Sequence, residues 1–591
     1  MSSLITDKLI TPCGKLTNPT LGGYMDAAGN IVGSAGFKPN LIVDYAGNLG
    51  SISFADCTVL ATIIGSALPP GEWEMQSGTT ETVGQNDGII SNNYTANAAA
   101  PLLHTFVSKN ATGYLTGNVA GTGTWTIKAG PEAIAGTGYV GAGLLVATGD
   151  NAHTGLVNME VGTKIQFGAD CSNALTRVKG NLTLAEGAIA TQFTSFVGNT
   201  FLTQALNNNG TYNVTGCGGC GTGGVGLATT VTNNGVINLD RTSWRNQSTW
   251  SGTGTVNVKA GATFQLSTNA IGNTTRINLN GNGWKDASCV EQGALHAIGT
   301  GATIGARINV QSASTIKTAS GVNGVILSGL VTGSAPLTVT TLGTTLTTSF
   351  TFSNTANTYN GTITVDRTIL PQSDGASLRY ANMVLVNGGR IHSSASQLIG
   401  SLSSSDPTTA WALFGSTQTQ IVKNGITTFA GNIIRGGTIG NVYLEGGDTN
   451  QLTLTNTGHT GGIYARNGSK IILQGAIFTG AEGQARVTLG STVSAGTSTT
   501  ASVTVLGIDA TSALDVRSIT PTSTGLIRYT SSQALTAGWK VNALDPLQPG
   551  TYPILQKPNT TLVPMPTLGI NNTGYNVTFT QVGNMINMVV S

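Results

Sequence analysis

Short segments along the chain place an aliphatic or aromatic residue on either side of a single Asn or Thr. Such period-two alternation is typical of a β-strand with one buried and one exposed face. Nine of these triplets recur at intervals of 19 to 31 residues, too long for strands joined by tight hairpin turns. The pattern therefore predicts strands separated by longer excursions of the chain. The triplets begin at Val157, Leu182, Tyr212, Ile237, Val256, Ile277, Ile308, Leu337 and Ile363.

The spacing of the triplets matches one turn of a solenoid, in which strands from successive turns stack in parallel. Glycine and asparagine cluster between the triplets, as expected at corners where the backbone adopts positive φ. We expect the middle Asn and Thr side chains to form a row on the outer face that hydrogen-bonds from turn to turn. An ordinary Thr- and Asn-rich β-protein with chance triplets is the alternative, and the eight near-regular intervals favour the solenoid.

A longer segment also repeats and strengthens the prediction of a solenoid. Its aligned copies place His153, Tyr359 and His459 at one position, which we interpret as a packing or corner position because it accepts different rings. A glycine follows two residues later in each copy. The copies contain LLVATGDNAHTGLVNMEVGTKIQFG from Leu144, FTFSNTANTYNGTITVDRTIL from Phe350 and LTLTNTGHTGGIYARNGSKIILQ from Leu452.

This repeat resembles the passenger-associated repeat of bacterial autotransporters. The tail resembles the closing strands of such passengers, with PGTYPILQ from Pro549 and YNVTFTQVGNMINMVVS from Tyr575. The resemblance implies an all-β fold, a right-handed parallel β-helix (solenoid) with a distinct N-terminal region and a C-terminal β cap. Neither a signal peptide nor a membrane barrel is visible in the sequence, so we do not expect export through a pore of its own.

The repeat also divides the chain. Residues 1–110 lack the triplets and are expected to form an N-terminal attachment or capping region. Residues 111–535 are predicted to form the solenoid, and residues 536–591 the closing strands. A cap is expected because an open solenoid end exposes unpaired backbone groups. Residues 393–418 interrupt the rhythm and are expected to form a loop or a short helix.

Charged residues make up only 9% of the 591 residues, against about 25% in a typical soluble protein. The net charge is +2 and no basic run occurs, so nucleic acid is not expected as a partner. Stretches without charged residues are too rich in Asn, Thr, Gln and Gly for a transmembrane helix, so membrane insertion is not expected. The 82 glycines show no Gly-X-Y period, which excludes a collagen-like protein.

Six cysteines are spread over the sequence, and most are isolated. This spacing favours free thiols in a reducing cytoplasm over a disulfide scaffold. Cys217 and Cys220 have the spacing of a metal or redox pair, but no second pair completes a zinc site. The sequence therefore predicts no metal site and no cofactor.

Some β-helical tail spikes cleave polysaccharides with two carboxyl groups about 5–9 Å apart. Each acidic candidate in this chain is explained as well by a solvated corner or an ion pair, so we name no catalytic residue. The chain is therefore not expected to be an enzyme, and a polysaccharide-depolymerising glycoside hydrolase or lyase stays an alternative. The acidic candidates are Asp240, Asp286, Glu291, Asp366, Glu445 and Asp448.

Three tryptophans fall in adjacent predicted turns, at Trp244, Trp250 and Trp284, and Arg245 follows the first of them. Exposed indole rings stack on the apolar faces of sugars. We therefore predict that these four residues form a carbohydrate- or receptor-binding site. The alternative interpretation is that the rings pack against a turn or against a neighbouring subunit.

Fibrous β-helices without a signal peptide are typical of bacteriophage tail spikes and fibres, which are made in the host cytoplasm and released by lysis. By this analogy we expect a virion structural protein that attaches to a glycan or protein of the host surface. The expected assembly is a homotrimer that contacts other virion proteins through its N-terminal region. An adhesin on the bacterial surface or outside the cell is the second alternative.

Overall fold

A computed structural model shows an all-β protein whose parallel strands stack in coils and form a β-solenoid of about 13 turns. No helix occurs among the residues that it describes. The predicted all-β solenoid is confirmed, whereas the right-handed winding and the cap stay predictions. Before residue 118 only the strands are described; the later described residues are 118–129, 144–148, 151–168, 178–194, 201–216, 225–267, 271–272, 274–343, 346, 348–372, 377–414, 418–422, 425–436, 441–445, 449–465, 469–474, 476–478, 486–488, 492–495, 501–503, 505–507, 513–516, 527–529, 534–535 and 538–591.

Contacts divide the chain into two compact units. The first contains Met1–Ile298 and Gly305–Arg307, and the second contains Gly299–Ile304 and Ile308–Ser591. The strands of the first unit are Tyr24–Met25, Ile31–Val32, Leu41–Tyr45, Ser51–Phe54, Ala61–Gly65, Glu72–Met75, Asp87–Ile90, Tyr94–Ala96, Leu102–Phe106, Thr112–Leu115, Val119–Gly121, Trp125–Ala129, Leu144–Ala147, Asn151–His153, Leu156–Met159, Lys164–Phe167, Asn181–Leu184, Ile189–Thr194, Phe201–Asn208, Thr211–Gly216, Val225–Asn233, Val236–Asp240, Ser243–Ser251, Thr255–Val258, Thr263–Leu266, Arg276–Gly281 and Leu295–Ala297.

The strand Arg307–Thr318 begins at the last residue of the first unit and continues in the second. The other strands of the second unit are Thr303–Ile304, Val325–Leu327, Val331–Gly333, Leu337–Thr341, Phe350–Phe352, Thr362–Asp366, Ile369–Gln372, Leu378–Val386, Arg390–Ser393, Gln397–Ser403, Ala410–Leu413, Gln418–Ile421, Ile426–Phe429, Asn432–Arg435, Asn441–Leu444, Gln451–Leu454, Gly462–Ala465, Lys470–Leu473, Ile477–Phe478, Arg486–Thr488, Thr492–Ala495, Ala501–Val503, Val505–Gly507, Ala513–Val516, Ile527–Tyr529, Lys540–Ala543, Gly550–Gln556, Thr567–Asn571, Val577–Val582 and Met585–Val590.

Columns of parallel strands build the first unit. In one column Thr211 pairs with Val236, and Val236 pairs with Thr255, so successive coils contain 25 and 19 residues. Along the strands Thr211–Gly216 and Val236–Asp240, half-buried residues alternate with buried ones. The apolar residue on each side of the central Asn therefore points into the core, as the period-two pattern predicts.

Asparagine side chains form a continuous row along this column. Asn238 Nδ2 donates to Asn213 Oδ1 at 2.8 Å, Asn257 Nδ2 to Asn238 Oδ1 at 2.8 Å, and Asn278 Nδ2 to Asn257 Oδ1 at 2.7 Å. Asn213 Nδ2 in turn donates to Thr191 Oγ1 at 3.2 Å. We call the four asparagines the asparagine ladder. The ladder confirms the predicted row of hydrogen-bonded Asn and Thr side chains.

Glycine residues lie where successive coils approach most closely. A Cβ built on Gly235 would lie less than 3.0 Å from the carbonyl oxygen of Gly210, a separation that real Cβ atoms essentially never show. The same oxygen accepts a hydrogen bond from the N–H of Val236 at 2.8 Å. The hydrogen bond therefore requires a residue without a side chain at this position. Backbone oxygens crowd the Cβ position in the same way at Gly155, Gly180, Gly210 and Gly254.

Some intervals between the sequence triplets are not single turns of one column. Leu182 pairs with Leu206, and Ile308 pairs with Val331, rather than either pairing with the next triplet. At these points the next triplet along the chain belongs to a different column of strands. The triplets do not distinguish the columns, because every column has the same alternation. Pairing with the next triplet is observed from Val157, Tyr212, Ile237, Val256 and Leu337.

Parallel columns also build the second unit up to its last strands. Residues 393–418 contribute the strands Gln397–Ser403 and Ala410–Leu413, which pair in parallel with strands before and after them. A turn around Asp406 joins these two strands, and its carboxylate accepts the N–H groups of Thr408 and Gly388. The expectation of a loop or short helix in this segment is therefore wrong.

The ring position of the longer repeat is buried in both units. His153, Tyr359 and His459 are at most 1% exposed. Each ring makes a hydrogen bond of 2.7 to 3.1 Å to the backbone of an earlier coil, which confirms that this is a packing position. The backbone partners are Gly123, Ala335 and Ile433, in that order.

The last strands change direction. Gly550–Gln556 pairs in parallel with Ile527–Tyr529 but antiparallel with Met585–Val590. Met585–Val590 also pairs antiparallel with Val577–Val582, so the parallel stacking gives way to an antiparallel arrangement within residues 536–591. Near the other end of the chain, Leu41–Tyr45 already pairs in parallel with Ala61–Gly65, inside the predicted region 1–110. The bounds of the three predicted regions stay predictions.

Candidate binding surface

One excursion of the chain leaves a coil of the first unit at residues 282–293. The carboxylate of Asp286 organises it: Oδ1 accepts the N–H groups of Ser288 and Val290 at 2.9 and 3.0 Å, and Oδ2 accepts Gln292 Nε2 at 2.7 Å. Val290 is 40% exposed. The excursion is therefore an ordered surface feature whose acidic residue holds the local backbone.

The base of the excursion is fixed to a neighbouring strand. Thr263 Oγ1 donates to the carbonyl of Gly293 at 2.8 Å and accepts the N–H of Trp284 at 2.8 Å. Trp284, one of the predicted sugar-binding residues, is half-buried at this point. Its indole ring is thus the partly exposed member of the three tryptophans.

The other two tryptophans belong to the core. Trp244 is 0% exposed and Trp250 is 4% exposed. Trp244 packs edge-on against Tyr212 with ring centroids 5.8 Å apart, and Trp250 packs edge-on against Phe264 at 5.4 Å. The interpretation of these two rings as exposed stacking platforms is therefore corrected: each is an aromatic packing residue of the kind that fills buried sites.

Arg245 is half-buried, and its Nε donates to Gln265 Oε1 at 2.9 Å. This hydrogen bond joins adjacent strands of one column, because Arg245 and Gln265 are paired in register. A carbohydrate-binding role for Trp244, Arg245, Trp250 and Trp284 stays a prediction. Only Arg245 and Trp284 of the four have side chains that reach the surface.

A shallow pocket of about 330 Å³ lies on the first unit. Arg276, Arg307, Thr253 and Thr274 line it, and all four residues are exposed. The N–H of Arg307 donates to the carbonyl of Thr275 at 2.8 Å, so the two arginines occupy equivalent positions on adjacent strands. We call this pocket the arginine pocket. Sequence reasoning did not find it, although Arg276 and Arg307 each precede an Ile-Asn pair.

Two of the acidic candidates, Asp240 and Asp286, serve local structure. Asp240 lies 3.4 Å from Arg241 and 3.8 Å from Lys259. Asp286 holds the excursion as described above. Asp448 lies outside the described residues, and no catalytic pair of carboxylates was predicted.

Asp366 receives several hydrogen bonds. Thr340 Oγ1 and Asn387 Nδ2 donate to its carboxylate at 2.8 Å each, and Arg367 lies 3.2 Å away. Burial opposes ionisation of Asp366, but the hydrogen bonds from Asn387, Arg367 and Thr340 and the charge of Arg367 outweigh it, so the pKa is lowered. A carboxyl with a lowered pKa is ionised at neutral pH and is unsuited to act as a general acid.

Cys289, at the tip of the excursion, is disulfide-bonded. The expectation that the isolated cysteines are free thiols is therefore wrong for this residue. The sequence did not reveal the bond because folding brings together cysteines that are distant along the chain. Cys217 and Cys220, the predicted metal or redox pair, lie outside the described residues.

Within the described ranges no three His, Cys, Asp or Glu residues are grouped closely enough to hold a metal ion. In the same part of the chain, no helix has the length and apolar character needed to cross a membrane. The arginine pocket and the excursion at residues 282–293 are two candidate binding features of the described part of the first unit.

No known protein family, curated protein or solved structure matches this chain. The class of the protein, a β-solenoid, is therefore defined by its own strand pairing. The similarity of its repeat to the passenger-associated repeat stays a resemblance.

Proposed function

We propose that the chain is a phage virion structural protein, a β-helical spike, fibre or surface appendage that acts in host-cell attachment. The observation that carries this proposal is the asparagine ladder on in-register parallel strands. Each inner strand has two hydrogen-bonded neighbours and the side chains add a second set of bonds along the same column. Such a body resists local opening and presents a polar outer face, as an exposed attachment protein requires.

Binding is favoured over cleavage of the host polysaccharide. Asp240 is ion-paired, Asp286 holds a turn, and Asp366 is held ionised by its donors. A glycoside hydrolase needs one carboxyl kept protonated beside a second carboxylate. The local roles of these three residues therefore support an attachment protein rather than a depolymerase.

The proposed assembly is a homotrimer, with the N-terminal region contacting other virion proteins and the solenoid contacting a host glycan or protein. The proposed winding of the coil is right-handed, as the repeat implies. We place the chain in the virion after synthesis in the host cytoplasm. Attachment to a carbohydrate is consistent with a polar surface that combines amide, hydroxyl and guanidinium groups.

Light scattering and cell binding test this proposal together. The purified 60.0 kDa chain is expected to have the mass of a trimer, about three times that of the protomer, and to run as a multimer in SDS without heating. Fluorescently labelled protein is expected to bind bacterial strains that carry a matching surface polysaccharide, and periodate treatment of the cells is expected to abolish binding. Failure to bind any strain of a broad panel would contradict the attachment role.

Two further measurements separate the alternatives. Release of reducing sugar from the bound polysaccharide would identify a depolymerase instead. Gold-labelled antibodies against the chain are expected to mark particles released by lysis. Label found only on intact bacteria would favour an adhesin on the cell surface.

A further inference from the structure

Arg276 and Arg307 bring two positive charges together on adjacent coils. The N–H of Arg276 donates to Gly254 at 3.0 Å and that of Arg307 to Thr275 at 2.8 Å, which fixes the two backbones one strand apart. Adjacent strands are separated by about 4.8 Å. Like charges directly opposite each other on neighbouring strands destabilise a sheet. The arrangement therefore has an electrostatic cost in the free protein.

No acidic side chain offsets this cost among the described residues. Arg241 and Lys259, by contrast, both lie within ion-pair distance of Asp240. Arg245 is hydrogen-bonded to Gln265. The guanidinium groups of Arg276 and Arg307 have no such partner within the described ranges, and the pocket lining contains no carboxylate.

We infer that the arginine pocket binds an anionic oxygen group, a carboxylate or a phosphate, of a host surface polysaccharide. The inference rests on the proposed attachment function and gives it a ligand class. Guanidinium groups bind carboxylate and phosphate through two parallel N–H···O bonds, which makes arginine better suited than lysine to this task. The anion also removes the repulsion between the two positive charges.

Thr253 and Thr274 provide hydroxyl groups in the pocket that can form hydrogen bonds with the hydroxyl groups of a sugar. Thr274 Oγ1 donates to the carbonyl of Gly252 at 2.7 Å, so its oxygen is left to accept a hydrogen bond from a ligand hydroxyl. Thr253 is exposed and also lines the pocket. The volume of about 330 Å³ is at the lower end of the range of about 300–1,000 Å³ that is usual for small-ligand sites. The pocket therefore fits a small charged saccharide unit rather than an extended protein surface.

Calorimetric titration of the full chain tests the pocket. The probes are trigalacturonate, its neutral methyl ester, and inorganic phosphate, each at 50 mM and 300 mM NaCl. Trigalacturonate or phosphate is expected to bind, more weakly at the higher salt concentration, and the methyl ester is expected to bind at least tenfold more weakly than the acid. Preference for trigalacturonate assigns a carboxylate ligand, and preference for phosphate assigns a phosphorylated one.

Arg276→Gln and Arg307→Gln are each expected to weaken binding of the preferred anion at least tenfold. Lys259→Gln is the matched control: it removes an exposed charge from the same unit, and it should leave the affinity within twofold. Arg307→Lys keeps the positive charge but removes the planar guanidinium group, so this variant should bind the anion with intermediate affinity. The unfolding temperatures of the three arginine variants are expected to equal or exceed that of the wild type, which verifies that the variants are folded.

The inference is overturned when neither anion binds the wild-type chain, or when the Gln variants bind as tightly as wild type. Cell binding distinguishes this failure from failure of the proposed function. A chain that binds cells independently of Arg276 and Arg307 retains the attachment role and loses the pocket. A chain that binds anions through these residues, but binds no cell, retains the pocket and loses the attachment role.

Discussion

Replacing Gly235 with Ala is expected to separate two coils of the first unit. The new Cβ would lie less than 3.0 Å from the carbonyl oxygen of Gly210, and that oxygen accepts the N–H of Val236. The crowded atom belongs to the backbone, so no rotation of a side chain relieves the clash. The strand Val236–Asp240 must therefore move away from Thr211–Gly216, with which it pairs.

The expected size of the effect follows from three contributions. Overpacking of a tight site costs about 1–3 kcal/mol. Lengthening of the hydrogen bond from Val236 to Gly210 adds a loss of about 0.5–1.5 kcal/mol. The reduced freedom of the unfolded chain offsets about 0.4–1 kcal/mol of this, because alanine has fewer conformations than glycine. The net destabilisation is therefore about 0.5–4 kcal/mol, located at these coils.

Hydrogen exchange is the suitable assay, because coils of a solenoid open locally and one unfolding temperature averages over all of them. Amides of Val236–Asp240 are expected to exchange faster in the Gly235→Ala variant. Gly272→Ala is the control in the same unit, since the nearest atom to its Cβ position is the carbonyl oxygen of Trp250 at an ordinary 3.8 Å. Neither glycine has a positive φ. Equal protection in the two variants would refute the requirement for glycine at this position.

Three further results are expected. Asn257→Ala removes two hydrogen bonds of the asparagine ladder, the one donated to Asn238 and the one accepted from Asn278. The free energy of unfolding, measured with a denaturant, is expected to fall by about 1–3 kcal/mol. An unchanged unfolding curve would contradict this. Burial lowers the pKa of His459 from 6.5 to about 4. Between these two pH values the unfolded chain binds a proton that the folded chain does not bind. The free energy of unfolding is therefore expected to fall as the pH drops from about 6.5 to 4. His459→Gln should flatten this pH dependence, and an equally steep profile would refute it. Non-reducing peptide mapping is expected to find Cys289 linked to a second cysteine peptide, whereas alkylation of a free Cys289 thiol in the native protein would exclude the disulfide.

The sequence predicted the ladder because two independent signals coincide in it. Alternation with period two places Ile237 and Leu239 inside and Asn238 outside, and the recurrence of the triplet places Asn257 one coil further on. Both signals lie within short segments of the chain, so they can be detected in a single sequence. The changes of column at Leu182 and Ile308 were not predictable, because every column uses the same alternation and corner length is variable.

The tryptophans show a limit of reading exposure from neighbouring residues. Trp244 lies among Ser, Arg and Asn, a context typical of a surface strand, yet its ring is fully buried against Tyr212. The ring of Trp244 faces the core, because the period-two alternation gives the opposite face of the strand to Arg245. Tyr212 lies 32 residues earlier in the chain. Tyr212 and Trp244 lie on strands that pair with other strands, so the spacing of the triplets did not predict this contact.

Stacking of the coils also brings together the two arginines of the arginine pocket. Arg276 and Arg307 are distant along the chain, and their adjacency arises only from the stacking of coils. Only 9% of the residues are charged, and the ladder column carries a row of neutral amide groups from Asn213 to Asn278. Two neighbouring cations on such a surface oppose the stability of the sheet. Residues that oppose local stability are expected at functional sites, and for this reason the arginine pocket, rather than the buried tryptophans, is the place where we expect the solenoid to meet its ligand.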